Sequence, residues 1–277
     1  MDSKIIVYPT DFSSCAENAI DYAIAMAKAM KCTINIVHFM DTSGAIELEE
    51  NPMRLLREME VIEKKAEHRL KKIATKALEN GVDSQTEVLK GSRLSWLSTY
   101  LEKNPPHLVV MGTQGSNCLE NRILGSETYK VIRDTDFPTF VVPEMASFKG
   151  LQKTIFATNY QKRDIDNLKF LVKIAEYYKA AIDVVHVSDT NLTKMERHHY
   201  TTNLKNDVFK SINYHKLDVK FLYSTDVAER LEILLKESDA DLLVLVTRKR
   251  NFIDRLFSKS ITKSMVYHTH TPLLIFS

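Results

Sequence analysis

Residues with the type and spacing to do chemistry cluster at Met111-Gly112-Thr113-Gln114-Gly115, followed after nine intervening residues by Gly125-Ser126-Glu127. The pattern is G-x2-G-x9-G-S, and the chemistry it suits is the holding of an anion. Gly112 and Gly115 would let the backbone turn through positive φ and approach a phosphate with no Cβ in the way. The N–H groups of Gly125, Ser126 and Glu127 would point out of a helix N-terminus towards negative charge. Ser126 has two uses there, as an N-cap when the site is empty and as a hydroxyl donor to a phosphate oxygen when it is filled. Taken alone, these residues also describe a plain turn and a capped helix, so their setting matters.

That setting is an alternation of strand and helix patterns. Ile5 to Tyr8, Ile34 to His38, Gln85 to Leu89, Leu108 to Met111 and Thr139 to Val142 are short, β-branched, apolar runs of the kind buried in a parallel sheet. Between the first two, a capping box from Ser14 to Glu17 opens a helix with Ala16, Ala19, Ile20, Ala23, Ile24 and Ala27 on one face. Met53 to Leu78 is a long charged helix with a stripe at Leu55, Met59, Ile62, Ala66, Leu70, Ile73 and Ala77 that should cover its own sheet. Leu94 to Leu101 and Glu127 to Arg133 read as two more helices. The expected fold is α/β: a doubly wound, Rossmann-like, five-stranded parallel sheet with helices on both faces. Ligands of such sheets bind at the carboxyl ends of the strands, where Asp11, Phe39 and the Gly112 loop should converge.

The pattern occurs twice. Thr10-Asp11-Phe12 aligns with Thr158-Asn159-Tyr160, and INIVHFMDT from Ile34 with IDVVHVSDT from Ile182, at the same offset, so that His38 meets His186. Later, HLVVMGTQGSN falls on DLLVLVTRKRN and Pro138 on Pro272, leaving the second half shorter in its middle. Two similar domains are expected, 1–146 and 151–277. Asp164 should precede the first helix of the second, which carries Leu168, Leu171, Val172 and Ala175. Strands should follow at Ile182 to Val187, Val219 to Tyr223, Leu242 to Val246 and Leu273 to Phe276.

The first half resembles the universal stress protein family in PTDFSSCAENAIDYA, in VHFMD and in VVMGTQGSNCLENRILGSETYKVIRDTDFPTFVVP. The resemblance covers essentially residues 1–146 and, more weakly, the rest. It implies an adenine nucleotide alpha hydrolase-like fold and an ATP site in the N-terminal domain, with ADP or AMP as further ligands and Mg2+ accompanying the phosphates. By that resemblance Asp11 and the backbone at Phe39 hold the adenosine, and the glycine loop and Gly-Ser hold the phosphates. The implied site is Pro9, Asp11, Phe39, Met111, Gly112, Gly115, Gly125, Ser126 and Glu127. The second half departs where it matters: Asp11 becomes Asn159, Gly112 becomes Val246, Gly115 becomes Lys249 and Gly125 becomes Lys259, with only Ser126 matched, by Ser260. A β-branched residue where positive φ is needed, and lysines where a phosphate would sit, predict no ordinary ATP site there.

Other residues carry less. Arg248, Lys249, Arg250 and Lys259 read as a solvated basic loop. Cys15, Cys32 and Cys118 are odd in number and lack the spacing of a disulfide framework or zinc site, which fits a reducing compartment. His198, His199, His268 and His270 lack a third ligand at useful spacing, and Trp96 reads as packing rather than a base-stacking platform. The 38 basic and 36 acidic residues balance too closely to give the broad positive field that nucleic acid or an anionic membrane needs. A start without a signal-peptide core, and no run of about 20 apolar residues, predict a cytoplasmic protein.

Three functions compete. The first is a non-enzymatic ATP-binding protein of stress response or signalling; the second is a slow ATPase using the same site, for which no organised general base is visible. The third is a nucleotide-independent scaffold. The resemblance also implies last-strand contacts through FVVP at Phe140 and LLIF at Leu273, making a pseudo-dimer of the two domains or a homodimer.

Overall fold

The computed structural model describes residues 4–42, 52–91, 96–113, 126–159, 162–190, 192–246 and 271–276. Two compact units divide the chain, Met1–Glu144 and Met145–Ser277.

In the first unit the apolar runs form β1 (Ile5–Pro9), β2 (Thr33–Asp41), β3 (Ser84–Gly91), β4 (Leu108–Gly112) and β5 (Thr139–Val142). They pair in parallel in the order β3-β2-β1-β4-β5. β1, β4 and β5 are almost wholly buried, which their unbroken apolar sequences require, whereas β3 is partly exposed and carries Gln85, Glu87 and Lys90. Four helices are described: α1 (Ser14–Met30), α2 (Pro52–Glu79), α3 (Trp96–Lys103) and α4 (Ser126–Asp134). The strand order steps one way from β1 to β3 and the other way for β4 and β5. Right-handed crossovers therefore place α1 and α2 on one face and α3 and α4 on the other. On the latter, Val7, Val37 and Val109 form a buried cluster with Leu97, Leu101 and Val131.

α1 buries Ala16, Ala19, Ala23 and Ala27 together with Ile20 and Ile24, and each isoleucine contributes about 1.5–3 kcal/mol by leaving water. Its cap is one residue earlier than the sequence suggests. Ser13, in extended conformation, accepts from the Ala16 N–H, while Ser14 Oγ donates to Glu144 Oε1 at 2.7 Å. Adjacent serines make the two caps indistinguishable in sequence. At the other end Lys31 takes the left-handed conformation and Cys32 N–H returns to the Ala27 carbonyl.

The α2 stripe is buried at Ala66, Leu70 and Ala77, but Ile62 is exposed, as are Met53 and Leu56 beside the expected positions. Geometry explains the difference among the described residues. A 28-residue helix spans about 42 Å, and the nine-residue β2 spans only about 30 Å, so α2 outruns the sheet it covers. As the return crossover to β3, α2 runs against the strands, so its N-terminal turns overhang their carboxyl ends.

The second unit holds β6 (Lys153–Ala157), β7 (Ala181–Ser188), β8 (Leu217–Tyr223), β9 (Leu242–Val246) and β10 (Leu273–Phe276), all parallel, in the order β8-β7-β6-β9-β10. Its described helices are α5 (Lys162–Tyr178), α6 (Lys194–Ser211) and α7 (Val227–Ser238). Asp164 lies within the first turn of α5 rather than before it. α6 and α7 have no counterpart in the sequence expectations. They are marked by their caps: Thr193 and Glu196 form a capping box, and Asp226 accepts from Ala228 N–H and Glu229 N–H.

One cross-strand contact repeats in both units. Thr10 N–H donates to the Val37 carbonyl at 2.8 Å and Thr158 N–H to the Val185 carbonyl at 3.0 Å. His38 and His186 then each place Nδ1 2.8 Å from the carbonyl oxygen of the same threonine, Thr10 or Thr158. The duplicated sequence thus encodes a duplicated polar lock at the end of the central strand.

Candidate functional site

β1 lies between β2 and β4, and the sheet order reverses between β1 and β4. At such a switch point the loops leaving the two strands diverge to opposite faces and open a crevice. Pro9 ends β1, Met111 and Gly112 end β4, and the β1–β4 register pairs Val7 with Val109, so Pro9 and Met111 are corresponding positions. Phe39 lies further along β2, opposite Leu89 of β3. Pro9, Asp11, Phe39, Met111 and Gly112 therefore belong to one edge of one sheet.

The loop after β1 is built tightly. Asp11 Oδ1 accepts from Ser13 N–H at 3.0 Å, and Thr10 Oγ1 accepts from Phe12 N–H at 3.0 Å. Phe12 between them has a φ of 63°, a left-handed conformation that costs a side-chain-bearing residue about 1–2 kcal/mol. The centre of its ring lies 4.3 Å from that of the His38 ring and 4.2 Å from the Arg69 guanidinium of α2. Arg69 also donates to the Phe12 carbonyl at 3.1 Å and lies 3.7 Å from Glu17.

His38 is neutral in this setting. Burial pushes its pKa below the ordinary histidine range, helped by Arg69 and opposed by the Thr10 carbonyl and Asp11. A carbonyl can only accept, so the neutral ring carries its proton on Nδ1. Beneath the loop, Tyr8 Oη donates to the Ala16 carbonyl at 2.5 Å, and burial drives its phenol pKa upward, keeping it a donor.

Gly112 has a role different from the one its sequence suggests. It is the last residue of β4, paired with Val142, and its φ is not in the left-handed region that Gly81, Gly91 and Gly150 occupy. What requires glycine is packing: a Cβ there would lie 2.9 Å from both the carbonyl carbon and the Cβ of Cys15. The missing side chain lets the start of α1 rest on β4. Positive φ therefore does not exclude Val246, contrary to the expectation from sequence: it sits in β9 opposite Phe276 as an ordinary strand residue.

α4 begins at Ser126, so its N-terminus follows the glycine segment as expected. Thr128 in its first turn is buried and donates to the Gly112 carbonyl at 3.0 Å, tying the helix start to the end of β4. Glu127 pairs with Lys130 at 3.2 Å within the helix. Gly115, Gly125, Cys118, Lys249, Lys259, Ser260, Arg248, Arg250, His268 and His270 lie outside the described residues, as does the side chain of Ser126.

Trp96 stacks on Phe39, with ring centroids 4.8 Å apart and planes 10° from parallel, as part of the packing on the α3 face. In the second unit Asn159 follows β6, and the Thr158 hydroxyl donates to the buried Asp164 at 2.5 Å, where Thr10 instead accepts from Phe12. Thr10, Phe12, His38, Arg69 and Thr128 were not singled out as site residues in the sequence. The signal for Thr10, Phe12 and His38 is their repeat in Thr158, Tyr160 and His186; Arg69 and Thr128 carry none. Among the described residues no group of three or more His, Cys, Asp or Glu could hold a metal ion, and no helix is long and apolar enough to cross a membrane.

Comparison with known proteins accords with this architecture. The universal stress protein family model matches residues 3–143 and again 166–277. A universal stress protein of Methanocaldococcus jannaschii is 34% identical over 140 residues, which cover 50% of this chain and 81% of the relative. One from Bacillus subtilis is 25% identical over 148 residues, covering 51% of this chain and 99% of the relative. Among solved structures, a universal stress protein from Archaeoglobus fulgidus superposes with a TM-score of 0.75 at 16% identity, over 99% of this chain and 96% of that one. At that identity the likeness speaks for the fold alone. With both halves of the chain matched by the family model, this protein belongs to the universal stress protein family.

Proposed function

We propose that the N-terminal unit binds ATP at the switch point between β1 and β4, and that the chain acts in stress response or signalling through the occupancy of that site. One observation carries the reading: Pro9, Asp11, Phe39, Met111 and Gly112 gather at the carboxyl edge of three adjacent strands. The helix that Ser126 and Glu127 open is tied to the same edge through Thr128. In this reading Asp11 and the Phe39 backbone take the adenosine. Gly115, Gly125 and Ser126 take the phosphates at the helix N-terminus, and Mg2+ arrives with those phosphates. Asn159 in place of Asp11, and lysines in place of two glycines, leave the second unit without such a site. Cys15 and Cys32 are buried and in no disulfide among the described residues, which suits a cytoplasmic setting.

The test is calorimetric titration with ATP, ADP and AMP of the wild type, Asp11→Asn and Gly125→Lys. Both variants borrow the residue of the second unit, and Asn keeps an oxygen for the Ser13 N–H. One ATP per chain is expected, with affinity roughly ten- to a hundred-fold weaker in Asp11→Asn, as fits the loss of a hydrogen bond to a charged group. Absence of ATP binding by the wild type would favour the scaffold, and two sites per chain would refute the assignment to one unit. Multiple-turnover phosphate release abolished by Gly125→Lys would move the protein to the ATPases.

A further inference from the structure

We infer that Arg69 of α2 is a positioning residue for the nucleotide loop: by gripping Phe12 against His38 it holds Asp11 in place without itself touching the nucleotide. The inference rests on the ATP-binding reading above and extends it to a residue far from the glycine motif.

Four contacts carry it. The Arg69 guanidinium lies 4.2 Å from the centre of the Phe12 ring and donates to the Phe12 carbonyl at 3.1 Å, so one side chain restrains both ring and backbone of the same residue. The same ring meets the His38 ring at 4.3 Å, and His38 is fixed to the Thr10 carbonyl at 2.8 Å. Phe12 is in a left-handed conformation that a side-chain-bearing residue does not hold unaided. Asp11 is its immediate neighbour, and the Asp11 carboxylate reaches across Phe12 to accept from Ser13 N–H at 3.0 Å, so the turn at Phe12 lies inside the span of that bond. Arg69 sits one residue before the buried Leu70 on the part of α2 that covers the sheet, and its 3.7 Å approach to Glu17 anchors it to the first turn of α1. Without Arg69 the loop would sample other conformations, and nucleotide affinity would fall by the fraction of time spent in them.

The experiment uses the full chain and four variants, Arg69→Ala, Arg69→Lys, Phe12→Gly and the double substitution of Arg69→Ala with Phe12→Gly. Affinities for ATP and for adenosine are read by calorimetry, and exchange of the Phe12 and Ser13 amides by hydrogen–deuterium exchange without nucleotide. Arg69→Ala should weaken ATP and adenosine by the same factor, roughly five- to ten-fold, and speed exchange at both amides. Arg69→Lys should restore part of each. Glycine adopts positive φ at no steric cost, so in the Phe12→Gly background Arg69→Ala should add little. An Arg69→Ala protein that binds ATP as tightly as a binding-competent wild type overturns the positioning role and leaves the ATP reading intact. Loss confined to ATP, with adenosine unaffected, overturns it in favour of a direct phosphate contact. A wild type that binds no ATP overturns both, and the amide exchange then says whether Arg69 still orders the loop.

Discussion

The space beyond the α-carbon of Gly112 is taken by Cys15, whose carbonyl carbon and Cβ both lie 2.9 Å from where a Cβ on Gly112 would be. Gly112→Val therefore overpacks the junction of α1 and β4, and a loss of about 1–3 kcal/mol is expected from denaturant unfolding. Two of the closest atoms are Cys15 backbone and the third its Cβ, so Cys15→Ala should not rescue it. Full stability in Gly112→Val would contradict the packing role. A binding defect in that variant would report the disturbed junction rather than a phosphate contact.

Trp96 is the sole tryptophan and stacks on Phe39, so its emission should respond when a ligand meets the β2 edge. Titration with ATP should give a saturable fluorescence change whose midpoint matches calorimetry. Calorimetric binding with silent fluorescence would place the ligand away from Phe39.

His38 makes acid unfolding measurable. Its pKa in the folded protein is lowered by burial, so the unfolded chain binds the proton more readily. The stability linked to the neutral ring is then complete above the unfolded value of about 6.5 and is lost as pH falls from there towards the folded pKa. Denaturation midpoints of the wild type should drop over that window, and those of His38→Gln should drop less. Parallel profiles for the two proteins would remove His38 as the cause.

Asp183 is nearly buried in β7, with Lys220 Nζ at 2.7 Å and Lys153 Nζ at 3.7 Å. Asp183→Ala would leave two ammonium groups facing each other without their anion. Both lysines remain about one-third exposed, so the expected cost is about 2–3 kcal/mol, below that of a fully buried pair. Equilibrium unfolding with no change in midpoint would show the cluster to be dispensable.

Much of the fold is legible in the chain. Parallel strands buried on both faces must be continuously apolar, so LVVM and TFVV mark β4 and β5 without ambiguity, and the repeated Thr10 and His38 announce the second unit. α6 gave no such signal, because a largely polar helix presents no clear stripe and is specified by the Thr193 cap. The cap of α1 was one residue off, since Ser13 and Ser14 differ only in backbone conformation.

The sequence by itself determined the duplicated α/β architecture, the family and which residue types gather at the end of the central strand, because periodicity and spacing are properties of the chain. Only the tertiary structure decided what those residues do to one another. Gly112 is glycine because Cys15, from another element, lies against it, and Phe12 holds its unusual conformation because His38 and Arg69 reach it from β2 and α2. Such meetings depend on how helices lie across a sheet, and distance along the chain carries no record of them.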